Sequence, residues 1–445
     1  MEHIGISIPE ILLPAKECDL YKWSVVACDQ YTSQIEYWDK VKDIVGNSPS
    51  TFHLILPEIY LEEKDVDLRI EKINKTMNEY LRQNILCSSK PCFIYVDRKT
   101  SHSPSRKGLI LAVDLEKYDY SPGSQTLIRA TEGTVVERIP PRLRIRENAS
   151  IELPHIMLLI DDPDDTVIGP LSQNIHRLEK VYDFDLMMGG GHIQGYKVED
   201  ENIIADIVHA LNKLASPKVF NEKYGFSDYK APLLFAVGDG NHSLATAKSH
   251  WENIKKKLPE DKTLTHPARY ALVEVVNVHD KGITFEPIHR ILFNANPKLI
   301  EIELIKICKD MDPFFRLFDC KESCLAEVDA LRKQTKAHVI PFVAEEEYGL
   351  IAINKPKQNL EVGSLQFFLD AVMKKYDQIK IDYIHGEDVL TSLAAKEGNI
   401  GFILPSMKKQ DLFKTVILDG TLPRKTFSMG EAEEKRFYLE CRKIC

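Results

Sequence analysis

Two rhythms of apolar and polar positions run along this chain, and the switches between them predict its elements. Leu233–Val237 is an unbroken apolar run bounded by Pro232 and Gly238, which predicts a buried strand. After the bend Gly238-Asp239-Gly240-Asn241-His242-Ser243, the residues Leu244, Ala247, Trp251 and Ile254 recur at helical spacing. That stretch reads as strand, tight turn, helix. The same helical period returns in Ile70, Ile73, Met77 and Leu81, and again in Ile203, Ile207, Leu211 and Leu214. Gln34–Val45 also reads as a helix. Short apolar runs predict strands at Trp23–Asp29, Thr51–Leu56, Cys92–Val96, Leu109–Val113 and Arg269–Val278, the last with Glu274 as its one internal charge. Arg142, Arg144 and Arg146 alternate with apolar residues and read as the solvated face of a strand. Gly189-Gly190-Gly191 before His192 reads as a hairpin turn or a place where a ligand nears the backbone.

Beyond residue 297 the pattern changes. Leu299–Met311, Ser323–Thr335 and Leu365–Tyr376 read as helices, Ala337–Val343 with Gly349–Asn354 as a hairpin, and Asn399–Leu404 as a buried strand. The expected fold class is α/β (α+β): a mixed-sheet core over residues 1–297 and a second, smaller α+β domain over 298–445. A chain of 445 residues suits two to three domains at ~150 residues each.

Composition narrows the partners. A net charge of −9 argues against a generic binder of nucleic-acid backbone. No apolar run approaches the ~20 residues of a membrane span, and the N-terminal stretch has no secretory pattern. The nine cysteines include no Cys-x-x-Cys pair, which fits a reducing cytoplasm better than a disulfide frame. The expectation is a cytoplasmic protein that handles a small molecule, without membrane or nucleic acid, and with a homo-oligomer left open.

Chemistry gathers at the bend. Two glycines permit close backbone approach, and the amides of Gly240, Asn241 and His242 open a helix, a ready place for an anion. Ser243 adds a hydroxyl, and Asp239 and His242 add acid–base groups. A plain turn with a helix cap uses the same residues. An anionic Asp239 would repel phosphate unless it holds magnesium or takes a proton. Arg129 and Arg138, on either side of Glu132, could grip an anion through forked hydrogen bonds. His289-Arg290 after a strand is a further anion candidate. The acidic run Asp161, Asp162, Asp164 and Asp165 reads as a turn between elements, with magnesium as the other option.

In order, VVACDQYTSQIEYW, FHLILPE, IRATEGTVVERIPPR, VGDGNHSLATAK, HPARYALVEVVN and FEPIHRIL resemble the domain-of-unknown-function family 1015, DUF1015. The family's central motif is Asp-Gly-His-His-Arg; here Asn241 and Ser243 replace its first histidine and its arginine. That motif is similar to the signature turn of the ParB/sulfiredoxin superfamily, which sets a glycine-rich strand–helix turn against nucleotide phosphates. The resemblance therefore implies a ParB/sulfiredoxin-like core. The superfamily includes free serine kinases, so the resemblance also implies phosphoryl transfer on L-serine or O-phosphoserine, in either direction. Magnesium and ATP, ADP or pyrophosphate are the implied co-reactants, with the metal ligands unassigned. The kinases' base is an N-terminal carboxylate, for which Asp29 and Glu132 are the candidates here; Glu132 is preferred for its flanking arginines. The alternative is a non-catalytic nucleotide- or metabolite-binding regulator.

Overall fold

The computed structural model describes residues 1–226, 228 and 230–445. The chain forms two compact units, Met1–Thr284 with Gly430–Cys445, and Phe285–Met429. The expected boundary at 297 falls inside the second unit, because the strand Phe285–Phe293 pairs with Lys380–His385, Asn399–Phe402 and Phe427–Met429. Gly430–Cys445 also departs from the expected division, since it belongs to the first unit, with residues 436–442 buried.

In the first unit, ten strands among the described residues form one mixed sheet. Its central order is Phe93–Lys99, Arg106–Asp114, Tyr270–Asn277, Met157–Ile160, Phe235–Asp239 and Ile128–Ala130. Phe235–Asp239 runs parallel to Ile128–Ala130 and antiparallel to Met157–Ile160. Side chains alternate between two buried faces. Phe93, Tyr95, Leu109, Leu111 and Val273 enter one core, while Ile94, Val96, Ile110 and Leu272 enter the other. A sheet covered on both faces needs apolar residues on both, which is why these strands read as unbroken apolar runs.

The helix Asn241–Lys255 covers one face with Leu244, Ala247 and Trp251. A leucine such as Leu244 contributes roughly 1.5–3 kcal/mol on burial. The opposite core takes Trp23, Val25, Val26, Trp38, Phe437 and Tyr438.

Three expected strands take other forms. Trp23 ends a short helix, and Val26 makes a single bridge to Phe437. Thr51–His53 is a 3-10 turn. Ile139–Arg146 is a helix with proline in its first turn, not a strand; there Arg142 pairs with Glu58, Arg144 with Asp67 and Arg146 with Glu152.

The second unit carries a seven-stranded antiparallel sheet among the described residues. The helix Glu361–Lys375 buries Leu365, Phe368, Leu369 and Val372. No helix among the described residues is long and apolar enough to cross a membrane.

Candidate functional site

The glycine bend closes the strand Phe235–Asp239 and opens the helix Asn241–Lys255, as its sequence predicts. Two glycines are required for different reasons. A Cβ on Gly238 would lie 2.8 Å from Leu159 Cγ. Gly240 has φ +78°, and a Cβ there would lie 3.0 Å from Ile156 Cα. The ladder slips between Val237 and Asp239, a bulge at Gly238 after which Asp239 still pairs with Met157.

Gly240 N–H donates to Asp239 Oδ1 at 2.9 Å, which removes it from the expected set of anion donors. Leu244 N–H returns to Gly240 O at 3.0 Å. The amides of Asn241, His242 and Ser243 lie between these two, in the first turn, where a helix supplies no acceptor. No side chain caps this helix start. The bend is half-buried and not sealed.

Sequence reasoning missed the cation here. Lys435 Nζ lies 3.3 Å from Asp239 Oδ2. This neutralises the carboxylate whose repulsion of phosphate was the objection to the site. The placement of Lys435 is set by buried arginines. Arg98 donates to the carbonyls of Glu433, Glu434 and Lys435, and Arg106 to that of Glu434. Next along the chain, Arg436 pairs with Glu274 and Glu440, which accounts for the lone charge inside the strand Tyr270–Asn277. Ala27 N–H donates to Arg436 O and Tyr438 N–H to Val25 O, so the segment Val25–Asp29 and the C-terminal strap are built as one piece.

Asp29 thereby reaches the bend. Its Oδ2 lies 3.9 Å from His155 Nε2. Burial opposes its ionisation, but His155, a hydrogen bond from Gln30 and the charge of Lys435 outweigh burial and hold the carboxyl below its usual range. His155 precedes the strand Met157–Ile160, whose start pairs with the end of Phe235–Asp239. It meets Ser243, with Nε2 to Oγ at 2.8 Å. Its Nδ1 lies 2.9 Å from Tyr438 OH. Neither His155 nor Tyr438 carries a local sequence signal; they are 283 positions apart.

His242 is neutral near pH 7. Burial, and then the charges of Arg142 and Arg138, pull it down to about 4. Val135 N–H donates to its Nε2 at 3.3 Å, which leaves the proton on Nδ1. The Asn241 side chain holds Thr131, accepting its N–H at 3.3 Å, and Glu132 follows directly in a half-buried position. A cavity of about 140 Å³ adjoins Ser243 and His155, walled by Leu54, Leu56, Met77 and Ile145, with Glu58 and Arg142 at its polar side.

The structure gives three expected anion ligands other tasks. Arg129 is buried, and its guanidinium donates to the carbonyls of Thr126, Ala231 and Pro232 at the far end of the strand. Burial lowers it to about 10. His289 and Arg290 are buried in the second unit. There His289 Nδ1 accepts Leu404 N–H at 3.1 Å, and Arg290 donates to Ile288 O at 2.6 Å and to Gln366 Oε1 at 3.1 Å. Asp161 pairs with Lys223 and His279, and Asp162 accepts Val167 N–H, so that acidic run is held as a turn.

Among the described residues, no group of three or more His, Cys, Asp or Glu side chains is arranged to hold a metal. The positive charge beside Asp239 comes from Lys435.

A family model described as protein of unknown function, DUF1015, matches residues 11–372. No curated protein matches the sequence. Among solved structures, a free serine kinase in complex with AMP is 12% identical at a TM-score of 0.37, covering 75% of this chain and 92% of that chain. A conserved hypothetical protein from Pyrococcus furiosus is 11% identical at 0.34, covering 72% and 90%. A C-terminally truncated SbnI from Staphylococcus aureus is 10% identical at 0.33, covering 72% and 82%.

Proposed function

On the premise that this chain belongs to the DUF1015 family, we propose that it is a small-molecule phosphoryl-transfer enzyme acting on free L-serine or O-phosphoserine. A nucleotide or pyrophosphate serves as the other partner, and a cytoplasmic setting fits a chain whose nine cysteines are all free thiols. One observation carries the reading. An open helix start, an ion-paired Lys435–Asp239 and the Asp29–His155–Ser243 group meet at one bend.

Phosphoryl transfer asks for fixed oxygens, balanced charge and a group to take the hydroxyl proton. The amides of Asn241, His242 and Ser243, with His242 Nδ1–H and Lys435, supply the first two. Asp29, kept ionised, and His155 supply the third. On this reading Asp29, rather than Glu132, is the carboxylate of the reaction. Arg138 and Arg142 add positive charge beside His242.

The test is to incubate the purified protein with serine, O-phosphoserine, ATP, ADP, pyrophosphate and magnesium, and to identify products by mass. Interconversion of serine and O-phosphoserine with one of these partners is expected. A folded protein that turns over none of them and binds none of them removes the reading.

A further inference from the structure

Ser243 stands where the family motif carries arginine, and a phosphate-holding turn does not require what surrounds it. Its Oγ lies 2.8 Å from His155 Nε2, and His155 Nδ1 lies 2.9 Å from Tyr438 OH. Tyr438 OH accepts Cys28 N–H at 3.2 Å. In the tautomer in which His155 Nδ1–H donates to the phenol oxygen, the second ring nitrogen carries no proton. Nε2 is then bare and faces the serine hydroxyl.

The two rings meet edge to face, at an interplanar angle of 89°, which fixes the imidazole's direction. Asp29 Oδ2, 3.9 Å from Nε2, sets a carboxylate beside the nitrogen that would take the serine proton. The hydroxyl lies in the first turn of a fifteen-residue helix, where added negative charge is stabilised.

We propose that Ser243 is a nucleophile that carries the phosphoryl group on its own Oγ before passing it to the acceptor. This rests on the phosphoryl-transfer reading above. The Oγ lone pair forms the new P–O bond, and the bond from phosphorus to the donor's oxygen breaks, with its electron pair leaving on that oxygen. The Ser243 proton passes to His155 Nε2 and on to the leaving oxygen. In the second half, the hydroxyl of serine or of water attacks the phosphorylated Ser243 and gives its proton to His155. Oγ then leaves with the P–O electron pair and recovers that proton.

The experiment uses the full chain with ATP or O-phosphoserine, brief incubation, acid quench and intact mass, followed by peptide mapping. A gain of one phosphoryl group on Ser243 is expected. Ser243→Ala should abolish that gain and cut turnover by about 10³-fold or more while leaving the melting temperature nearly unchanged. His155→Gln should slow phosphorylation by about 10²- to 10⁴-fold. Turnover persisting in Ser243→Ala, with no covalent phosphate on the parent protein, overturns the proposal and leaves the phosphoryl-transfer reading standing. A fluorophosphonate probe separates the remaining cases. Selective labelling of Ser243 without turnover of any phosphate donor overturns the phosphoryl carrier together with the phosphoryl-transfer reading it rests on, and leaves only an activated serine. No labelling and no turnover overturns both.

Discussion

Each unit of this chain contains a serine hydroxyl hydrogen-bonded to a buried histidine, and the two pairs differ in everything but that bond. Ser243 Oγ to His155 Nε2 and Ser364 Oγ to His338 Nδ1 both measure 2.8 Å. Ser364 is fully buried and donates to Gln358 Oε1 at 3.3 Å, so His338 Nδ1–H must be the donor in its pair. That hydroxyl is committed in both directions. Ser243 is half-buried, adjoins a cavity, and has Asp29 beside its histidine and the Lys435–Asp239 pair on its turn. The bond length says nothing about reactivity. The direction of the proton and the charges around the imidazole decide it.

The comparison can be broken from its strongest point downward. Asp29→Asn should lower turnover by about 10²- to 10⁴-fold, because the imidazolium loses its counter-charge; steady-state rates at saturating substrate check this. Arg436→Met should cost about 3–5 kcal/mol of stability, since Glu274 and Glu440 are left buried without their cation. Urea unfolding measures that loss. Ser364→Ala should cost about 1–3 kcal/mol through the orphaned His338 and Gln358 groups and leave turnover at the parent value. A fall in turnover there would make the two pairs alike.

A pH dependence bears on the same bend. His242 sits near 4 when folded against 6.5 when unfolded. As pH falls below 6.5 the unfolded chain takes up the proton first, so stability should drop between pH 6.5 and about 4 and then level off. His242→Gln should flatten that part of the melting-temperature profile.

Much of the helical frame was legible from period alone, including 66–82, 201–214 and 241–255. The bend at 238–243 was legible because glycine, an apolar run and a helical repeat meet there. Trp23–Asp29 and Thr51–Leu56 misread because a buried extended segment needs the same apolar residues as a strand. The helix 139–146 did carry a signal, Pro140-Pro141 at its start, which the alternation of arginines masked. Asp29, Asp239, His242 and Ser243 could be proposed from sequence, and they do converge. Lys435, Tyr438 and His155 could not, because their roles arise from a strap that returns across the chain and from the antiparallel register of Met157–Ile160. Arg129 read as a ligand because carbonyl oxygens that satisfy a guanidinium leave no mark in a sequence.

A crystal structure of the full chain with O-phosphoserine bound tests the central claim most directly. The account predicts phosphate oxygens within about 3 Å of the amides of Asn241, His242 and Ser243, with Lys435 Nζ on the same group. A phosphate bound elsewhere, with that turn empty, would contradict it.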